Sequence, residues 1–299
     1  MMVEAISEEL TNYSYTSEES SEWSFFEFSS TCIYATEPTT LDGMIHHVFH
    51  RKQELAQKIV NKLYTLGYTR FEKKLGEGAF GIVLKIQGDE KKDLALKLEK
   101  HPTPLANTNN ELVGDAQGLN LPTGHHLGRA LALLTYYEGE VHYIESFDPM
   151  LHSEHLLVGV FSKAVDGVPL YNRVSVAPLD SEAVKGYGKQ LAEALLALHS
   201  AGYVHNDLHQ GNILVKNSKE GKDPYRLKLL DFGCANEATP RRVDHEWKNF
   251  AYLLAEMGSE KQLNNNPKFN DLLYNPERGI FQGKLPYSGR EIVNHPFFV

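Results

Sequence analysis

The chain is poor in cysteine. Only Cys32 and Cys234 occur among 299 residues, too few for a disulfide framework or a four-cysteine zinc site, and a reducing compartment such as the cytoplasm fits best. It also lacks any run approaching the roughly 18 uninterrupted apolar residues of a membrane helix, so no membrane partner is expected. No basic stretch followed by an apolar core is seen near Met1, which argues against a classical secretion signal. Positive charge is missing from Met1 to Asp42, where eight Glu and one Asp stand without a Lys or Arg. Those nine come from a total of 39 acidic residues and leave 30 against 30 basic ones in the remainder. The net charge of −9 therefore belongs to the N-terminal segment. A neutral body without a basic face argues against nucleic acid as a partner.

What is present suits a folded body behind a polar leader. A hydrophobic content of 41% over this length can bury a substantial core. Residues 1–40 include "NYSYTSEESSEWSFFEFSSTC", an acidic, Ser-rich composition that predicts a disordered tail. Its aromatics Trp23, Phe25, Phe26 and Phe28 are the exception, suited to docking on the body or on a partner. Over 41–67, Ile45, Val48, Phe49, Leu55, Ile59, Leu63 and Leu66 recur at steps of three to four with a few gaps, which predicts one amphipathic helix. His46 and His50 stand i, i+4 on it. With no Glu between them and no third ligand in view, they read as solvated histidines rather than metal ligands.

The first strong motif is "KKLGEGAFGIVLKI", with Gly76, Gly78, Gly81 and Val83 in a Gly-x-Gly-x-x-Gly-x-Val pattern. A dinucleotide-binding turn shares that spacing but needs a helix after it. Here two short apolar runs follow around a polar turn, and the pattern predicts a β-hairpin. Glycines at a hairpin tip let backbone N–H groups approach phosphate oxygens, with Phe80 placed to cap the loop. Lys97, in "LALKLEK", lies inside an apolar strand. An anionic partner would offset its burial, either a phosphate or a carboxylate; Glu111 is the nearest downstream acid, and Asp115 one turn on is the alternative.

"HLLVGVFSKAVDGVPL" is an apolar strand running into a bend. A helix follows, begun by Asp180 or Ser181, stopped by Gly202, and carrying Val184, Tyr187, Leu191, Leu195 and Leu198 on one face. It delivers the chain to "YVHNDLHQGNILV", where His205, Asp207 and Asn212 lie on a loop feeding a strand. "YRLKLLDFG" reads as the second strand of a hairpin ending at Asp231. That hairpin can bring Asn212 and Asp231 to one end with Asp207 close by, a set of oxygen groups suited to Mg2+.

In this order and context the motifs resemble the eukaryotic-type protein kinase superfamily, over roughly Tyr68 to Met257. The match rests on the glycine pattern, the lysine of "LALK", His205-x-Asp207-x-x-x-x-Asn212 and Asp231-Phe232-Gly233. The resemblance implies an α+β bilobal fold: a kinase-like domain over 68–299 with a β-rich N-lobe at 68–162, a hinge at 163–167 and a reduced, mostly helical C-lobe at 168–299. It implies that ATP and Mg2+ are used, with Lys97 on the α- and β-phosphates, Asp207 as the base toward a substrate hydroxyl, and Asn212 and Asp231 on the metal. Gly76, Gly78, Phe80, Gly81 and Val83 would cover the nucleotide. Ala95 and Glu111 belong to the same pocket, Ser162 falls at the gatekeeper place, and Lys163 and Val165 face the adenine edge through their backbone. His205 and Phe232 would be packing residues.

The departures shape the expectation. Asn206 replaces the Arg that usually receives a phosphorylated activation loop, so control by loop phosphorylation is not expected. Asp244 resembles the aspartate opening the helix that supports the catalytic loop and reads equally as a helix cap, and "NHPFF" is similar to the end of many kinase domains. His209 stands where serine/threonine kinases carry Lys, and "HNDLHQGN" is similar to choline kinases and aminoglycoside phosphotransferases. The reading is a monomeric serine/threonine protein kinase acting on a protein substrate, similar to minimal kinases that intracellular bacteria or large viruses deploy in a host cytosol. A small-molecule phosphotransferase and a pseudokinase binding module are the alternatives.

Overall fold

The structure is a computed structural model that describes residues 38–78, 81–88, 93–105, 126–128, 130–145, 152–217, 225–259, 263–282 and 286–299. Expectations for the leader up to residue 37, Phe80, Glu111 and Asp115 lie outside these residues.

Two helices open the described chain, α1 (Leu41–Val48) and α2 (Gln53–Thr65), where the apolar periodicity predicts one. The break falls in the gap of that pattern between Phe49 and Leu55. The Thr40 hydroxyl caps α1 by accepting from the Gly43 N–H at 3.1 Å. Gln53 closes the turn: its Nε2 donates to the His50 carbonyl at 3.0 Å, and its Oε1 lies 2.5 Å from His46 Nδ1. His46 therefore has a local structural partner, and no metal-holding cluster of His, Cys, Asp or Glu occurs among the described residues.

Six antiparallel strands follow: β1 (Tyr68–Glu77), β2 (Gly81–Gly88), β3 (Leu94–Pro104), β4 (Ala130–Tyr137), β5 (Glu140–Ile144) and β6 (Leu156–Lys163). They form one sheet in the order β1-β2-β3-β6-β4-β5. Ile45, Ile59 and Leu63 of the helices share a buried core with Leu84, Leu96, Leu98 and Phe161 of the sheet. Side chains alternate along a strand, so burying Leu96 and Leu98 on that face sends Ala95, Lys97 and Glu99 to the other.

The remaining strands and α-helices among the described residues are β7 (Val168–Pro169), α3 (Leu170–Val176), α4 (Ser181–Ser200), β8 (Tyr203–Val204), β9 (Ile213–Asn217), β10 (Tyr225–Leu229), β11 (Asn236–Glu237), α5 (Pro240–Met257), α6 (Pro267–Tyr274) and α7 (Gly289–Val293). Asp180 is the cap of α4, its Oδ1 accepting from the Ala183 N–H at 2.8 Å. Beyond the helix Gly202 takes φ +90°, a value that favours glycine. Val184, Tyr187, Leu191 and Leu195 pack into a second core with Phe250 and Leu254 of α5. This is an α+β arrangement of a sheet-rich half followed by a mainly helical one.

A buried carboxylate on α5 holds the loop between β8 and β9. Glu246 Oε1 accepts from the Asn206 N–H at 2.8 Å, and His199 Nε2 lies 2.5 Å from Oε2. Asn206 sits at φ +62°, a region that Asn enters more readily than most residues. The sequence reading gives this supporting role to Asp244. Two residues along a helix turn the side chain by about 200°, so Asp244 faces outward and pairs with Lys248 at 3.0 Å. At the C-terminal end Phe297 is fully buried against Phe269, with ring centroids 5.3 Å apart. His295 Nδ1 accepts from the Phe297 N–H at 3.2 Å, which leaves Nε2–H to donate to Asp271 Oδ2 at 2.9 Å. The "NHPFF" segment is thus part of the second core.

Glu246→Ala leaves the Asn206 N–H and the partly buried His199 ring without their acceptor and is expected to cost about 3 kcal/mol in urea denaturation. Asp244→Ala, which removes only an exposed pair, is expected to stay within about 0.5 kcal/mol. Equal effects would show that the loop does not depend on Glu246. By the same assay Phe297→Ala is expected to lose about 3–5 kcal/mol; near-wild-type stability would contradict the burial of this end.

Candidate active site

The glycine pattern folds as the predicted hairpin. Gly76 lies opposite Val83 in the β1–β2 register, and the Gly78 N–H donates to the Gly81 carbonyl at 2.9 Å. A Cβ at Gly81 would come within 2.5 Å of the Leu98 carbonyl oxygen, so the flat approach of β2 to β3 needs glycine here. Lys100 tethers the hairpin, donating to the Gly78 carbonyl at 3.0 Å and to Glu77 Oε1 at 2.8 Å. Hydrogen bonds from Lys100 and Lys74 hold the Glu77 carboxyl below its usual range.

Strand register then assembles the wall below the hairpin. Val83 stands opposite Lys97 in the β2–β3 pairing. Ala95 stands opposite Ser162 in the β3–β6 pairing. Lys163 ends β6 and is exposed, and Val165 lies in the connection to β7, whose Val168 pairs with Val215 of β9.

Lys97 crosses the cleft below that wall. Its Nζ lies 3.0 Å from Asp231 Oδ1 and 3.4 Å from Glu99 Oε1. Glu99 is a partner that the sequence reading missed, although its place two residues along the strand puts it on the face of Lys97. Burial pushes the Asp231 carboxyl up, but the charge and hydrogen bond of Lys97 and the Gly233 N–H outweigh this and hold it below the usual range. Asp231 adopts φ +62° at the end of its strand.

The β9–β10 hairpin brings the other polar groups to the same end. Leu229 pairs with Ile213, and the Leu230 N–H donates to the Asn212 carbonyl at 2.8 Å. Asn212 is buried, and its Nδ2 donates to the Asp207 carbonyl at 3.0 Å and to Asp207 Oδ2 at 3.1 Å. The Asp207 carboxylate remains partly open to solvent. His209 stands beside it: its Nε2 lies 3.6 Å from Asp207 Oδ2, while its Nδ1 accepts from the Gly211 N–H at 3.0 Å.

His205 and Phe232 have the packing place expected of them. Both are buried, with ring centroids 5.1 Å apart. His205 Nε2–H donates to the Leu230 carbonyl at 2.8 Å, its Nδ1 faces the Asp207 N–H at 3.3 Å, and burial holds its pKa down. A neutral imidazole thus ties the start of the loop to the residue before Asp231.

The cleft offers a cation at Lys97 and oxygen groups at Asp207, Asn212 and Asp231. That donor set fits a hard divalent ion shared with phosphate oxygens. After Gly233 the chain reaches α5 through Cys234–Thr239 alone, and β11 within this segment pairs with β8. The usual long activation segment has no counterpart there.

A protein kinase domain model matches residues 69–266. The serine/threonine-protein kinase chk-1 of Caenorhabditis briggsae is 29% identical over 198 residues, covering 63% of this chain and 35% of that protein. The human serine/threonine-protein kinase ULK1 is 27% identical over 178 residues, covering 57% of this chain and 15% of its own length. The dual specificity protein kinase Ttk of Danio rerio is 39% identical over 71 residues, 24% of this chain and 6% of that protein. The chain thus spans about a third or less of the length of these relatives. With the domain match covering most of the chain and the glycine hairpin, lysine, catalytic loop and Asp231 assembled in one cleft, the chain belongs to the protein kinase family.

Proposed function

We propose that the chain transfers the γ-phosphoryl group of ATP to Ser or Thr hydroxyls of a protein. The observation that carries this reading is the convergence of Lys97 and Asp231, 134 residues apart in sequence, at 3.0 Å beside the Asp207–Asn212 pair. Lys97 would hold the nucleotide phosphates under the hairpin of Gly76, Gly78 and Gly81. Asp207, oriented by Asn212, would accept the proton of the attacking hydroxyl. Asn212 and Asp231 would hold Mg2+, which when bound neutralises charge on the transferred group. The backbone of Lys163 and Val165 would meet the adenine edge, with Val83, Ala95 and Ser162 around the ring. Two of the relatives carry serine/threonine kinase in their names, which supports that acceptor type. Autophosphorylation at Ser14, Ser17, Ser20 or Ser21 would be favoured by tethering in the same chain. A cytosolic site of action, including that of a delivered effector in a host cell, fits a chain in which no described helix is long and apolar enough to cross a membrane.

His209 supports a second reading. An imidazole 3.6 Å from the Asp207 carboxylate is where the catalytic loop is similar to small-molecule phosphotransferases, so a metabolite hydroxyl is the competing acceptor.

Asp207→Ala is expected to lower phosphoryl transfer by on the order of 10² to 10³ while nucleotide affinity changes only a few-fold. Intact-mass spectrometry after incubation with Mg2+ and ATP, with a generic protein substrate present, reads the first; calorimetric titration with ATP reads the second. Mass gain by the chain or the added protein only when Asp207 is present is the expected result. Full activity in the variant would remove Asp207 from the mechanism, and ATP consumption without mass gain would favour the metabolite acceptor.

A further inference from the structure

The glycine hairpin stands at a free side of the sheet. β1 lies at one edge of the six-stranded order and pairs with β2. Their register runs to Glu77 opposite Ile82, and beyond it the Gly78 N–H closes the tip on the Gly81 carbonyl at 2.9 Å. A Cβ placed on Gly76 or Gly78 would meet nothing within 4 Å. The space beside both glycines is open, so polar contacts rather than packing fix the tip.

Lys100 supplies such contacts from a third strand. The β2–β3 pairing ends at Gly81 opposite Glu99. Lys100 is the next residue of β3, beyond the last paired position, and its side chain reaches past the end of β2 to the β1 side of the hairpin. There its ammonium donates to the Gly78 carbonyl at 3.0 Å and to Glu77 Oε1 at 2.8 Å, partners 22 and 23 residues away in sequence. The other oxygen of Glu77, Oε2, meets Lys74 Nζ at 3.2 Å. The carboxylate is thus held from both sides, and Lys100 joins the hairpin tip to the strand that carries Lys97. The side chains of Lys100 and Glu77 are 31% and 38% exposed. Charge-assisted bonds at such exposure are specific in geometry yet weak enough to open without unfolding the sheet.

We propose that Lys100 is a positioning residue that clamps the tip of the glycine hairpin over the cleft, so that a nucleotide bound beneath it leaves when the clamp opens. The inference rests on the nucleotide-binding reading of the cleft for what the hairpin covers. Lys100 acts through Glu77 and Gly78 rather than by touching phosphate.

The test follows release of a fluorescent N-methylanthraniloyl ADP, bound with Mg2+ to the full chain and chased with excess ATP in stopped flow. Lys100→Met, which keeps the apolar stem, is expected to release the probe about three- to tenfold faster than wild type. Glu77→Gln is expected to move release in the same direction, and Lys100→Arg to restore the slow rate. Raising the ionic strength from about 0.05 M to about 0.5 M is expected to narrow the gap between wild type and Lys100→Met, because exposed charges are screened. A lysine that only supported the fold would give no such convergence.

An unchanged release rate in Lys100→Met, or a gap that salt does not narrow, would overturn the clamp while leaving nucleotide binding intact. Lys97→Ala, expected to weaken equilibrium binding of the probe, checks separately that it sits in the cleft. If the wild-type protein takes up no nucleotide, or holds it independently of Lys97, that reading falls and hydrogen exchange decides on the clamp. Faster exchange of the amides of residues 74–84 in Lys100→Met then supports it, and equal exchange overturns it.

Discussion

The catalytic loop is held in place by one buried carboxylate. Glu246 is almost fully removed from water, where an anion without partners would cost several kcal/mol. It is satisfied only if the Asn206 N–H and the His199 ring are both brought to it. That requirement joins three elements at one point: the end of α4, the turn after β8 and the first turns of α5. Once Asn206 is fixed, Asp207 follows as the next residue, and Asn212 locks it from the other side through two hydrogen bonds. The geometry around Asp207 therefore follows from the need to solvate a charge in the core below it.

Lys97 imposes a comparable constraint from the sheet. Its ammonium is mostly covered, and its two carboxylate neighbours come from different places, Glu99 from its own strand and Asp231 from the end of β10. The pair with Asp231 spans the cleft in which the nucleotide phosphates are proposed to lie. A phosphate entering the cleft can share Lys97 with Asp231, while a divalent ion can share Asp231 with the phosphate. Opposite charges are thus held ready for exchange, and Lys97 keeps the Asp231 carboxyl ionised through the usual pH range.

The path from Gly233 to α5 is short. In place of a long segment, β11 ties the chain back to β8. The wall made by α3, the catalytic loop and α5 lines a cavity, and Gln210 of the loop donates to Glu256 of α5 across it. Leu208, His209, Gln210 and Gly211 of the same loop line the cavity next to Asp207.

Much of this was legible in the residues. The glycine hairpin, the buried lysine strand, the α4 face and the β9–β10 hairpin each rest on local periodicity or turn chemistry, which a sequence carries explicitly. The same holds for the loop position of Asp207 and Asn212. Other features depended on angles and distances across the chain. One apolar pattern became two helices because Gln53 could close the turn over Phe49 and His50. Glu246 rather than Asp244 met the loop because two helical steps point to opposite sides, and only packing selects which side is buried. Glu99 gained meaning from the lysine that faces it. Sequence determined the elements and the chemistry they carry; tertiary structure decided which charges meet, since burial and partnership belong to contacts between segments that local patterns do not specify.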